Sequence, residues 1–435
     1  MPDRPAPRLR SAVRDEVQTW SLSLDQMLPP DHPARAAWAF AEGLDLSPLY
    51  AAIKATEGRP GHPHVDPRIL FALWLFATID GVGSARELDR LCACHTAYRW
   101  LCGGVSVNYH TLADFRVEHH DWLDGQLTDT VAVLLHQDLV TLRRVAQDGM
   151  KVRASAGADT FRRQPTLERC LAEARQQVHA LVRQADESDS SVSQRQRAAR
   201  QRAAREKVQR LQKALDQIPA VRASREAFKK GTGDQARAST TDPEARVMKM
   251  PDGGFRPAFN VQFATDLASG LVVDVAAVNR GTDNGLMGEC VDRIVGRYAR
   301  APEEVLVDAG FGSLEDIDRV SRAYGTRTYA PIKNERKWKA RGADPYAPRK
   351  GDAPAVRAWR ERMGTEQGQE VYKLRAASAE WVNAGCRNRG FYQVRVRGAS
   401  KVGCCALWHA LAHNLVTAVR RVVTRRHATT IGRAA

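Results

Sequence analysis

Apolar residues recur along the chain with different periods, and each period predicts an element. The run Ile69-Leu70-Phe71-Ala72-Leu73-Trp74-Leu75-Phe76 is apolar throughout. It predicts a helix buried on all sides, with Asp66 as cap and Pro67 in its first turn. Gly81 and Gly83 end it, and Ser84-Ala85-Arg86-Glu87 has the form of a capping box for the next helix. Another helix is expected from Thr111 through Phe115 and Trp122 to Leu134. Further on, Leu167, Leu171, Ala174, Val178 and Leu181 follow four-three-four-three spacing, a heptad seam. Serines at 188–193 break it, and Val208, Leu211, Leu215 and Ile218 resume it. Two such arms predict an antiparallel helical hairpin.

Strand patterns lie on either side of that hairpin. Residues 139–154 are rich in strand formers but hold Asp148-Gly149 in their middle, a turn or bulge signal unless Asp148 lies on a strand facing a site. Phe259-Asn260-Val261-Gln262-Phe263 alternates with period two. Residues 271–278 are largely apolar, so 255–279 reads as a β-hairpin turning at Ala268-Ser269-Gly270. An amphipathic helix is expected over 286–298. The three apolar residues Val305-Leu306-Val307 predict a buried strand with Asp308 at its end, where ligands gather in open α/β sheets. Ser313 with Asp316 then opens a helix, and 326–332 is a further strand. Residues 333–368, basic and rich in Pro and Gly, read as a surface loop. Tyr372 begins a helix carrying Arg375, Glu380 and Arg387. On a straight wheel Glu380 and Arg387 fall within about 80° of Tyr372, but Arg375 falls roughly 140° from Glu380. Leu407, Leu411, Leu415, Val419 and Val422 mark a last helix packed on the core.

The order of elements is an α/β one: a mixed sheet with helices on its faces, preceded by an all-α region and interrupted by the hairpin. The expected units are a helical N-terminal domain at 1–135, a sheet domain at 136–165 and 235–424, the hairpin insertion at 166–230, and a basic tail at 425–435.

Charge changes the picture more than composition does. The 435 residues are 43% hydrophobic and 27% charged, as in soluble domains. Lys and Arg number 66 against 50 Asp and Glu, a formal charge of +16 with a pI near 9.7. That surplus favours a polyanion, nucleic acid before anionic membrane. The second hairpin arm is basic on one sign, from Arg195 to Lys213. The charge-free apolar run 69–79 is too short to span a bilayer. The start, Met-Pro-Asp-Arg, has no apolar segment, so no secretory signal is expected. Eight scattered cysteines suggest no disulfide framework, and the spacing of Cys92, Cys94 and Cys102 beside His95 matches no common zinc finger. A reducing cytoplasm, at the nucleoid, fits. In the N-terminal region Arg99 and Arg116 are candidate DNA contacts, while the aromatics beside them read as core.

Two strand aspartates, Asp148 and Asp308, with a helical glutamate, Glu380, suggest a two-metal phosphodiester site. Two Mg²⁺ ions roughly 3.5–4 Å apart can activate an attacking oxygen and stabilise a leaving one. Mg²⁺ takes hard oxygen ligands and keeps waters, so few carboxylates suffice. On pattern alone Asp274, Asp283 or Glu289 could replace one of the three.

At these residues the chain resembles the DDE transposases of bacterial insertion sequences, in the branch with a tyrosine–arginine–glutamate–lysine signature. The likeness rests on Asp148-Gly149-Met150-Lys151-Val152-Arg153-Ala154, on Val307-Asp308-Ala309-Gly310-Phe311, and on Ala379-Glu380-Trp381-Val382-Asn383 followed by Arg387-Asn388-Arg389-Gly390 and Val396-Arg397-Gly398. Asp242-Pro243-Glu244-Ala245-Arg246, Ala412-His413-Asn414-Leu415 and the segment from Asp66-Pro67-Arg68 to Phe115-Arg116 also look like family motifs. The resemblance implies a ribonuclease-H-like catalytic domain with Asp148, Asp308 and Glu380 as catalytic, metal-holding acids. It implies two Mg²⁺ ions, with Mn²⁺ able to substitute. Tyr372 and Arg375 would be the signature residues, and with Arg387, Arg389, Lys151, Arg99 and Arg116 would meet DNA. Two departures are visible. Arg387 stands at the lysine position, and four residues rather than three separate Arg375 from Glu380. The implied activity is binding of terminal inverted repeats, cleavage, and transfer of the 3′-hydroxyl to target DNA by a homo-oligomer, expected to be a dimer, with no membrane partner. A non-transposing metal-dependent nuclease and a catalytically inactive DNA-binding regulator are the alternatives.

Overall fold

The computed structural model describes residues 14–17, 19, 21–55, 58, 63–187 and 194–434. The start of the chain at 1–13 and the serine-rich turn at 188–193 lie outside the described residues.

Helices precede the first strand, as the apolar pattern predicts. Asp66 caps Pro67–Ile79, its Oδ1 accepting from the Arg68 N–H at 2.8 Å. This helix is buried from Leu70 to Ala77. Ser84 caps Ala85–Cys94. The helix expected from Thr111 is instead two, Tyr109–Glu118 and His120–His136, broken at His119. The start moves back because the Asn108 side chain accepts from the N–H groups of both His110 and Thr111. Tyr98 and Phe115 are core.

The last helix, Ala399–Ala434, joins this region to the sheet. Trp408 lies 5.1 Å from Phe71, ring to ring, and its indole N–H donates to the Arg116 carbonyl at 3.0 Å. One apolar cluster runs from the N-terminal helices through this helix to the sheet. The segment Ala399–Arg421 is long and apolar enough to cross a membrane, but most of it is buried inside the protein. A buried core helix meets the same criterion.

The sheet is mixed. Its strands are β1 (Arg144–Arg153), β4 (Arg246–Lys249), β5 (Phe255–Asp266), β6 (Val272–Val278), β7 (Glu304–Leu306) and β8 (Arg327–Tyr329). A separate pair is β2 (Phe161–Arg162) with β3 (Ala238–Ser239). In the main sheet β1 is central. It runs antiparallel to β5 on one side and parallel to β7 on the other, with β8 parallel beyond. Both β4 and β6 pair antiparallel with β5. The Asp148-Gly149 step makes no turn: pairing with β5 is continuous from Val145 to Arg153.

The β2–β3 pair closes the base of an excursion. Between its strands run the helices Gln164–Glu187 and Gln194–Phe228, packed through Leu167, Leu171 and Ala174 against Leu211, Ala214 and Ile218. These are the expected hairpin arms and seam.

Residues 333–368 are not the plain loop the sequence suggests. They contain the helices Glu335–Ala340 and Pro354–Gly364. Pro354 sits in the first turn of the second, and Val356, Trp359 and Met363 recur at helical spacing and are buried. The helix bearing Tyr372 starts earlier than expected, at Glu366, capped by Thr365.

Candidate active site

Side chains alternate along β1, so its two faces hold different chemistry. Asp148 lies on one face. Gln147, Gly149 and Lys151 lie on the other. Parallel register places Ala146 beside Leu306, so continuation by two residues sets Asp308 next to Asp148. The chain past β7 still follows the sheet, for the Val307 N–H donates to the Tyr329 carbonyl. Asp308 then closes a tight turn. Its Oδ1 accepts from the N–H groups of Gly310 at 2.7 Å and Phe311 at 3.3 Å. A Cβ at position 310 would come within 2.9 Å of that oxygen, which is why glycine stands there.

The third element is a helical passage over β1: Glu366–Arg375, a π turn at Ala376–Glu380, then Trp381–Asn388. It brings two partners to Asp148. Arg375 Nη2 lies 2.9 Å from Asp148 Oδ1, and Asn383 Nδ2 donates to Oδ2 at 2.8 Å. The Gly149 N–H completes the set at 3.0 Å. Burial raises the Asp148 pKa; Arg375 pulls against that rise, and the nearby Asp308 charge adds to it. Burial likewise raises Tyr372, which also feels Arg375, Asp308 and Asp148. Asp148, Asp308, Tyr372 and Arg375 therefore form one electrostatic cluster.

The π turn accounts for the extra residue between Arg375 and Glu380. Such a turn absorbs one residue within a helix. A five-residue step then spans what four residues span in an α-helix, leaving the two side chains about 40° apart rather than 140°. Glu380 itself is exposed and makes no hydrogen bond or ion pair with another described residue. Among the described residues no group of three or more His, Cys, Asp or Glu is placed to hold a metal ion. The structure thus joins Asp148 to Asp308 and sets Glu380 on the helical passage over β1, exposed and without a partner among the described residues. Asn383, which the sequence reading passed over as a site residue, takes the contact. The available signal was its place one helical turn after Glu380, on a nearby side of the helix.

The opposite face of β1 carries its own charged network. Asp283 Oδ1 accepts from Asn260 Nδ2 at 2.6 Å, Gln262 Nε2 at 3.0 Å and Lys151 Nζ at 3.2 Å. Lys151 is therefore across the sheet from Asp148. The polar positions of the period-two alternation at 259–263, Asn260 and Gln262, are buried in this network. Gly149 is explained here too: a Cβ would lie 2.3 Å from Gln262 Nε2 and 2.9 Å from Asp283 Oδ1. Asp274, fully buried on this same face, is paired with Arg293 and Arg297. Glu289 is paired with Arg280. None of the three substitute acids joins Asp148.

The remaining candidates scatter. Arg387 and Arg99 are exposed near the ends of their helices. Arg116 is partly used internally, donating to the Gly83 carbonyl at 2.7 Å with its guanidinium 4.8 Å from the Trp74 ring. Arg389 faces a cavity beside it. Two other motifs are structural. Asp242 and Glu244 accept from the N–H groups of Gly398 and Ala399, capping the last helix. Asn414 bonds both backbone groups of Val272, and His413 bonds the Gly270 carbonyl, which ties that helix to the β5–β6 turn.

Residues 22–118 match the family model described as Transposase domain (DUF772), and residues 231–415 match the one described as Transposase DDE domain. Together these matches support a DDE transposase. No curated protein and no solved structure matches the chain. In general terms the two domains support an insertion-sequence transposase, a class that acts on DNA and generally uses divalent metal ions. The DDE match includes Asp308, Arg375 and Glu380 but begins after Asp148. Asp148 enters through the register of β1 against β7.

Proposed function

We propose that this protein cuts DNA at the ends of an insertion element and joins them to target DNA, with Asp148, Asp308 and Glu380 as its catalytic acids on a ribonuclease-H-like sheet. The observation that carries the reading is the neighbouring placement of Asp148 on β1 and Asp308 just past the end of parallel β7, with Arg375 of the helical passage paired to Asp148. The strand order, with β1 central between antiparallel β5 and parallel β7, supports the fold assignment.

The donor set suits a divalent cation. Two carboxylates lie side by side, and Asn383 Oδ1 is buried without a partner, leaving a third hard oxygen beside them. Mg²⁺ at this site would neutralise charge on the scissile phosphodiester and ease deprotonation of the attacking oxygen. The protein's own contribution is positioning. Arg375 is held by Asp148 with its Nε unpartnered, so a guanidinium N–H remains for a phosphate oxygen. Tyr372 is close enough to feel both that guanidinium and Asp308. Arg387 presents its charge further along the same helical passage. Glu380, on the same helical passage, would be the third acid to hold a metal there.

A catalytically silent DNA-binding regulator is favoured by one observation: among the described residues Glu380 is not gathered with Asp148 and Asp308 into a metal-holding group. A single assay separates the readings. The full-length protein is incubated with Mg²⁺, a labelled duplex from the DNA flanking its gene, and a target plasmid. Joined product is the expected outcome. Nicking without joining indicates a nuclease, and binding with no cleavage in Mg²⁺ or Mn²⁺ indicates the regulator.

A further inference from the structure

A cavity of about 840 Å³ opens between the N-terminal helices and the segment that follows Glu380's helix. One wall is the turn after Pro67–Ile79 and the start of Ala85–Cys94. The other is the chain from Arg389 to Arg395. The walls approach closely at one end: a Cβ on Gly390 would lie 3.6 Å from the Gly81 carbonyl oxygen. The second wall is also fixed to the sheet, since the Arg153 N–H donates to the Tyr392 carbonyl and the Val394 N–H to the Arg153 carbonyl.

The lining is cationic and under-used. Arg86, Arg116, Arg389 and Arg395 line it with one acid, Glu87. Glu87 is engaged by Arg90 at 2.6 Å, so it does not neutralise the cavity. Arg116 is spent on Gly83 and Trp74. The guanidinium groups of Arg86, Arg389 and Arg395 donate no hydrogen bond to another described residue, and Arg389 Nη1 is buried without a partner. The cavity is also lined by His409, 5% exposed, whose Nδ1 has no partner either. The buried guanidinium N–H of Arg389 left unmet is costly, a cost that an anionic ligand relieves.

We propose that this cavity is a second DNA contact, holding backbone phosphates of the duplex whose scissile phosphate lies at Asp148 and Asp308. This rests on the reading of DNA as substrate. The spacing follows from β1. Arg153, which anchors the cavity wall, is five residues from Asp148, roughly 17 Å along an antiparallel strand. That is about half of one duplex turn of ~34 Å. The cavity would fix the angle at which the element end enters the site.

The test uses the full-length protein and the flanking duplex, with uncharged methylphosphonate linkages placed one at a time over a turn on each side of the cut. In the parent protein a neutral linkage about half a turn away should weaken binding roughly tenfold, and the R86Q/R395Q double variant should be indifferent to it. The slope of log affinity against log salt should fall by roughly 1–2 in that variant. Both arginines are exposed and donate no hydrogen bond to another described residue, Arg86 resting over the Tyr109 ring at 5.0 Å, so the fold is expected to survive; circular dichroism checks it. No sensitive linkage at that spacing, or equal sensitivity in parent and variant, overturns the proposal. Joining is scored separately. A cavity contact without joining contradicts the transposase reading alone, and joining without the contact contradicts the cavity alone.

Discussion

On one face of β1, Asp148 is held by Arg375 and Asn383 and stands beside a second aspartate. On the other face, Asp283 is held by Lys151, Asn260 and Gln262, with no second acid in its network. Both are carboxylates sunk beside a cation. They differ in what is left over. The Asp148 side keeps two buried polar atoms without partners, Arg375 Nε and Asn383 Oδ1, and two like charges in proximity. On the Asp283 side one oxygen gathers three donors, and the buried Gln147 Oε1 is left without a partner. Like charges and unmet groups are costly to a fold, and they concentrate where a ligand supplies what is missing. Burial of an acid therefore distinguishes little here; a second acid beside it, with unmet groups on the residues that hold it, distinguishes much.

The sharpest way to break that comparison is to neutralise each acid in turn. Asp148→Asn or Asp308→Asn should lower Mg²⁺-dependent cleavage on the order of 10³-fold or more, with end binding retained in a gel-shift assay. Asp283→Asn should leave cleavage by the folded fraction close to parental and instead lower stability by about 2–3 kcal/mol in urea melts, because Lys151 loses its counter-charge. Gly149→Ala should be next, costing about 1–3 kcal/mol by driving a methyl into the Gln262 and Asp283 side chains. Deleting Ala376 should convert the π turn to plain helix while keeping Arg375 on Asp148. Cleavage within about tenfold of the parent is then expected, whereas loss comparable to Asp148→Asn would show that the extra residue does not merely restore register.

The smallest effect concerns pH. Burial pushes the pKa of His409 down to about 3 and that of His413 down to about 4. The unfolded chain takes up these protons below about 6.5, and the folded chain does not. Stability is therefore fully present above that pH and falls as pH drops, by up to ~1.4 kcal/mol per unit for each histidine. Thermal melts at pH 7 and pH 5 should differ less for His413→Asn than for the parent.

Much of this was legible in the sequence, and the failures have physical causes. The caps Asp66 and Ser84, the hairpin seam and the strand before Asp308 are local patterns, and the structure shows each of them. Asp148-Gly149 carries a turn signal because glycine is a common turn residue. Its actual reason is close packing against side chains more than a hundred residues away, which no local pattern records. The helices within 333–368 hide because their apolar positions are few and their surfaces basic, although Pro354 marked one start. Asn383 stayed unassigned because nothing in its own neighbourhood says that Asp148 will lie beneath it. The straight-wheel angle between Arg375 and Glu380 misleads because a π turn cannot be seen from spacing alone.

One measurement tests the shared Asp148–Asp308 site most directly. Fe²⁺ replaces Mg²⁺ in the full-length protein, peroxide and ascorbate are added, and the sites of backbone scission are mapped by mass spectrometry. Two cuts are expected, close to residues 148 and 308, both lost in Asp308→Asn. Cuts clustered instead around Asp274 and Asp283, or scission with no preferred position, would contradict the account.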